Sequence, residues 1–197
     1  MRSMSCAHRW LAALGAGLLL AAQPARAAGR FELQSRKIEA PEMGRITQWM
    51  LRTEHGFFGF MVPRGTSLET EAAKGVLRIR VTGQPDLVVT TLPDTVIDPG
   101  DLDQKTLREM VLRHHPGTEV AVEGVFHTES EQGFFFDLTS PRDAGAATIT
   151  RIGYARVHGA LFEFRMTCAA NRVQSSFRTF QDFLTSFQPL GPGVNGS

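Results

Sequence analysis

Two cysteines, six histidines and twenty acidic residues are the side chains of this 197-residue chain best suited to nucleophilic, metal or acid–base chemistry. Their spacing assembles none of the familiar sites. The chain has no G-x-S-x-G elbow to raise a nucleophilic serine, no G-x-x-x-x-G-K-[ST] loop to cradle phosphates, and no G-x-G-x-x-G opening a helix. H-E-x-x-H and C-x-x-C do not occur either, so the commonest zinc and dithiol arrangements are missing. Asp98, Asp101 and Asp103 crowd the segment DPGDLD, but the remaining ligands of a calcium loop do not follow. A turn and helix-cap reading accounts for them. His114 and His115 are adjacent at an expected helix end; successive helical side chains diverge by about 100°, so the pair does not chelate one ion. His127, near Glu129 and Glu131, and His55, before Gly56, read as loop and turn residues. A hydrolytic carboxylate pair would need Glu123 and Asp137, which lie on separate strands. These readings predict no catalytic residue, no cofactor and no metal.

Cys168 ends the alternating run LFEFRMTC, in which Phe162, Phe164, Met166 and Cys168 share the apolar side. A reactive thiolate needs an exposed, electropositive setting, so this thiol reads as buried and inert. Four other residues are candidates for a ligand or partner surface. In Phe134-Phe135-Phe136 the outer two rings share one strand face and Phe135 takes the other, where it is core if covered and lines a groove if open. Arg64, beside Pro63, and the outward-facing Arg78 and Arg80 could bind an anionic group.

The elements that must hold these side chains follow from periodicity. Strands are predicted over Phe57–Val62, Val76–Val81, Asp86–Leu92, Glu119–Phe126 and Gly133–Thr139. In the fourth, Val120, Val122 and Phe126 are expected on one face. Thr148–Cys168 reads as a hairpin turning at His158-Gly159, because glycine accepts the positive φ that a two-residue turn demands. That turn sets Ala155 opposite Phe162, Gly153 opposite Phe164, Ile152 opposite Arg165 and Tyr154 opposite Glu163. A one-residue slip would drive Glu163 and Arg165 into the core, so the register is well determined. Two helices are predicted. One spans Asp101–Arg113 behind capping aspartates, with Leu107, Met110 and Val111 on one face. The other runs from Asn171 to Ser186, with Val173, Phe177, Phe180, Leu184 and Phe187 as a stripe that packs on a sheet.

Composition agrees with a globular chain: 42% hydrophobic, 21% charged. Residues 1–27 read as an export leader, with Arg2 and Arg9 before the apolar run Trp10–Ala22 and small residues at Ala25 and Ala27. That run is shorter than the roughly 20 residues a bilayer core requires. Cleavage is expected after Ala27, releasing a periplasmic or secreted chain with no membrane span. Losing Arg2, Arg9 and Arg26 takes the formal charge from +1 to −2, and a near-neutral domain has no electrostatic footprint for nucleic acid. Cys6 leaves with the leader, so no internal disulfide can form. Residues 28–44 lack sustained periodicity and are expected to form a mobile arm; 45–190 form a single domain and 191–197 a flexible tail.

The order of elements resembles the PsbP-like family. The likeness is carried by GFFGFMVPRG, by the hairpin ITRIGYARVHGALFEFRMTC and by the closing VQSSFRTFQDFLTSF. It implies an α+β fold, a central antiparallel sheet flanked by helices as an α/β/α sandwich. It also implies a non-enzymatic accessory role on larger complexes, often in a bacterial envelope. Three functions are therefore set against each other: an envelope accessory module engaging a protein complex, a small-molecule or lipid carrier with an aromatic-lined pocket at Phe135, and a hydrolase using Glu123 and Asp137.

Overall fold

The computed structural model describes residues 31–40, 42, 44–98, 102–139 and 147–191. The leader and its cleavage after Ala27, the aspartate at 101 and all but the first residue of the expected tail lie outside these. The chain runs β1 (Glu32–Ala40), β2 (Gly44–Thr53), β3 (Gly56–Phe60), β4 (Ser67–Glu71), β5 (Val76–Arg80), β6 (Leu87–Leu92), α1 (Gln104–His114), β7 (Glu119–His127), β8 (Gln132–Thr139), β9 (Thr148–Val157), β10 (Ala160–Ala169), α2 (Val173–Ser186) and β11 (Gln188–Leu190). Two antiparallel sheets result. One has the order β1-β2-β3-β11 and the other β4-β5-β6-β10-β9-β8-β7.

The β9–β10 hairpin anchors the larger sheet. His158 and Gly159 take φ of 48° and 84°, the paired positive values of a tight two-residue turn. Every cross-strand pair expected from that turn is present: Ala155 with Phe162, Gly153 with Phe164, Ile152 with Arg165, Tyr154 with Glu163. Gly153 is required by close packing. A Cβ there would lie 2.9 Å from Phe126 and 3.4 Å from Phe180.

Alternation along these strands divides the core in two. On one face Phe162, Phe164, Ala155, Leu77, Ile79 and Val89 meet α2 and the smaller sheet. Phe187 stacks within 5.0–5.7 Å of Phe58, Phe162 and Phe164, and Phe183 lies 5.3 Å from Phe60. Offset and edge-on rings at such spacings are favourable beyond their buried area. On the other face Leu107, Met110 and Val111 of α1 cover Phe136, Leu138, Ile152, Tyr154 and Leu161. Asp103 caps α1: its carboxylate accepts from the backbone N–H groups of Lys105 and Thr106 at 2.8 and 3.0 Å.

The expected α/β/α sandwich needs correction. One face carries a helix, but the opposite face carries a helix together with a second, four-stranded sheet. The reason lies in Phe58 and Phe60, which point the same way from β3 and are fully buried against the larger sheet. The arm expected over 28–44 also differs: residues 32–40 form β1, paired residue by residue with β2. Its turn-side half extends polar side chains on both faces, so no period-2 apolar signal marks it as a strand. In β7 a bulge between Val120 and Val122 breaks the expected alternation. Val120 packs toward α1, whereas Phe126 joins the α2 face.

Candidate functional site

The two carboxylates weighed as a hydrolytic pair are each engaged with an arginine. Asp137 and Glu123 leave the larger sheet on opposite faces, because Glu123 opposes Phe136 while Asp137 is Phe136's neighbour in β8. Glu123 pairs with Arg108 of α1 at 3.1 Å. Asp137, 5% exposed, receives both Nε and Nη2 of Arg151 at 2.7 Å. The hydrolytic pair is therefore dismantled by strand alternation.

Arg151 also decides the role of Phe135. Its guanidinium carbon lies 4.1 Å from the centre of the Phe135 ring and 3.6 Å from that of Phe177 on α2. Planar cations stack well on aromatic faces. The other neighbour of Phe135 is Gly124, where a Cβ would come within 3.0 Å of the ring. Phe135 is thus half-buried between an arginine and a glycine backbone, filled rather than open as a groove wall.

Cys168 is buried beside this cluster, and burial pushes its thiol up from its ordinary value. The Ser176 hydroxyl is enclosed with no hydrogen-bond partner among the described residues. Tyr154 is 1% exposed and donates to Glu163 at 2.9 Å. Burial first, and then the Glu163 charge, push its phenol far above the usual range. His115 closes α1 through its backbone N–H, and His127 ends β7 exposed.

The arginine candidates separate. Arg80 contacts Glu69 at 2.6 Å and Asp86 at 3.2 Å, and Arg78 reaches Asp86 at 3.5 Å. These make a solvated ladder of paired charges on the sheet face that α1 leaves uncovered. Arg64 has no ion-pair or hydrogen-bond partner among the described residues. It sits in a tight loop closed by the Thr66 hydroxyl donating to the Pro63 carbonyl at 2.7 Å, with Gly65 at φ 79°.

Arg64 opens onto a cleft of about 540 Å³ between that loop and the β1–β2 hairpin. Lys37, Arg45 and Trp49 line it from the hairpin, and Met61, Val62 and Pro63 from the segment leaving β3. Lys37 and Trp49 share a face because β1 and β2 are in register at Lys37–Thr47 and Ser35–Trp49. The Lys37 ammonium is oriented by the Thr47 hydroxyl at 2.5 Å. Arg45 has an exposed contact with Glu39 at 3.6 Å, and no carboxylate lines the cleft itself.

Met61, Val62 and Pro63 also form the near wall of a second groove of about 290 Å³, whose far wall is Leu87, Met166 and Phe183. The strap between the two depressions is fixed by Ser186 at the end of α2. Its hydroxyl accepts from the Met61 N–H at 3.1 Å and reaches the Met61 carbonyl at 3.4 Å. The Met61 side chain stays 40% exposed. Sequence reading reached Arg64 but missed Lys37, Arg45 and Trp49, because the hairpin that gathers them carries no clean alternation, and it read Met61 only as part of a strand that in fact ends at Phe60. The apolar cluster Trp49-Met50-Leu51 was the available signal.

No family model and no curated protein sequence matches the chain. Among solved structures it is similar to PsbP from Synechocystis sp. PCC 6803, with 15% identity, a TM-score of 0.46, and 83% of this chain covering 96% of that one. It is also similar to LpqN, a protein involved in cell envelope biogenesis in Mycobacterium tuberculosis, at 12% identity and TM-score 0.46 over 81% of this chain and 92% of that one. A Pseudomonas aeruginosa protein of unknown function, PA94, gives 10% identity and 0.45 over 73% and 98%. A PsbP structure thus stands among the folds this chain is similar to, as its sequence pattern led us to expect. At such distances the likeness transfers no residue role, partner or activity.

Proposed function

We propose that this chain is an exported, non-catalytic accessory module of the bacterial cell envelope, acting through contact with another protein. The observation that carries this reading is the end of the molecule around Arg64. There an unpaired arginine, two further cations, a half-buried tryptophan and a 40% exposed methionine meet on solvent beside an apolar groove. Such a mixture of an aromatic anchor, arginine and methionine is what protein interfaces enrich. Elsewhere the reactive groups serve the fold: Asp137 and Arg151 clamp β8 to β9, and Glu123 ties β7 to α1. A carrier binding its cargo at Phe135 is not favoured, since Arg151 and Phe177 take that space. Among the described residues no helix is long and apolar enough to cross a membrane. In situ cross-linking of the chain in its native host, with a tag after Ser197, tests the reading. One dominant protein adduct in near-stoichiometric yield supports it; a chain that stays uncoupled to any protein refutes it.

A further inference from the structure

The paired depressions on either side of the Met61–Pro63 strap differ in chemistry, and that difference specifies what fits them. Lys37, Arg45 and Arg64 surround the hairpin-side cleft with no carboxylate on its walls. The α2-side groove is walled by Ile79, Leu87, Met166 and Phe183 and bears a single carboxylate, Asp182, on its rim. Both depressions open to solvent along one side. A free small molecule is held well when most of its surface is enclosed, which neither depression provides. An extended chain laid across the strap would use both at once.

We propose that the partner engaged at this end is a protein segment that is acidic on one side and apolar on the other. Its carboxylates lie in the Lys37–Arg45–Arg64 cleft, and its apolar side chains cross Met61 into the groove beside Phe183. This inference rests on the reading of the chain as a protein-binding module and names the chemistry of the partner. Charge complementarity orients the segment. An acidic residue is favoured at the hairpin end by Lys37 and Arg64, with Arg45 shared with Glu39, and is disfavoured at the groove by Asp182, so the acidic end of the segment lies at the cleft and its apolar end at the groove. Trp49, half-buried at the cleft floor, supplies a rigid surface under the acidic part. The loop and the strap are pinned by Thr66 and Ser186, so little order must be gained on binding.

The probe is a fluorescently labelled peptide, Asp-Asp-Glu-Ser-Gly-Leu-Phe-Leu, titrated with the leaderless chain by anisotropy. Saturable binding is expected, weakening as salt rises. The triple variant Lys37→Glu/Arg45→Glu/Arg64→Glu should lose about tenfold or more in affinity. The same variant should gain binding to the Lys-Lys-Lys-Ser-Gly-Leu-Phe-Leu peptide, which shows that it is folded. Replacing the apolar residues of the probe by serine should abolish binding. Equal binding of the acidic and basic probes by the natural chain overturns the inference, as does sedimentation with vesicles of phosphatidylglycerol and phosphatidylcholine in the absence of peptide binding. A protein adduct in the native host that survives the triple charge reversal overturns the acidic segment while leaving the accessory reading intact. Absence of any adduct removes that reading itself.

Discussion

Breaking the Asp137–Arg151 clamp should cost far more than replacing it. The two side chains are 7% and 14% exposed, and both nitrogens of the fork meet carboxylate oxygens at 2.7 Å. Phe135 and Phe177 lie on the guanidinium at 4.1 and 3.6 Å, so little water reaches it. Asp137→Leu leaves a cation in that space with no carboxylate, and Arg151→Met leaves an anion with no cation. Each single change should cost about 3–5 kcal/mol, the scale for an orphaned buried charge. In a chain of this length that lowers the melting temperature by on the order of 10 °C. The double change Asp137→Leu/Arg151→Met removes both charges and leaves a flexible thioether between the rings. It should fall within about 2 kcal/mol of the natural chain. Urea unfolding monitored by circular dichroism gives all three values, and the coupling between the sites should be several kcal/mol. Additive single effects, or singles costing under about 1 kcal/mol, would refute the reasoning, because the pair would then be neither buried nor coupled.

Other consequences are open to test. Tyr154 is the single tyrosine of the chain, so the pH-dependent change in absorbance at 295 nm reports its ionisation. Because its folded pKa is raised, the stability it contributes is complete below the unfolded value of 10.0 and falls as pH climbs above it toward the folded value. The slope should approach 1.4 kcal/mol per pH unit, and the phenol should ionise only as the chain unfolds. A midpoint near pH 10 in a folded chain would contradict this. Phe164→Ala, at a residue ringed by Phe126, Phe162, Phe183 and Phe187, should cost about 3–5 kcal/mol in the same unfolding assay; a loss under 1 kcal/mol would place it outside the core. Gly133→Ala should destabilise by about 1–3 kcal/mol, since its Cβ would meet Phe126 and, at 2.5 Å, the Tyr154 carbonyl oxygen. An unchanged midpoint would show that β8 and β9 can separate freely there.

The parts of this fold that could be read in the sequence are those where one turn fixes many pairs. His158-Gly159 set ten cross-strand pairs at once, and the alternation of Phe162, Phe164, Met166 and Cys168 left one register open. The aromatic stripe of α2 was equally plain, and Phe177, Phe180, Leu184 and Phe187 do bury; Phe183, which packs on Phe60 of β3 and Phe164 of β10, was not part of the stripe as read. What escaped lacks such a repeat. Strand β4, Ser67–Glu71, has Leu68 as its one apolar residue because it is an edge. Strands β1 and β2 carry Lys37, Arg45 and Thr47 where the hairpin extends beyond the core, so polarity hides the strand. The bulge in β7 is set by how β8 and α1 meet it and leaves no mark in EVAVEG. For the same reason the site was only partly legible. Arg64 declared itself beside Pro63, but its companions come from the hairpin 15 to 27 residues upstream. Arg78 and Arg80 look as available as Arg64 in one dimension; only folding brings Glu69 and Asp86 to them.

The account's central claim is that this molecule works through protein contact at the end bearing Arg64 and Met61. The most direct measurement places a photo-reactive amino acid at position 61 in the full chain, expressed in its native host, with the same residue at Glu109 on the exposed side of α1 as control. Illumination should give one protein adduct from position 61 that is absent from position 109 and is lost with Arg64→Glu. Equal adducts from both positions, or adducts from position 109 alone, would contradict the claim.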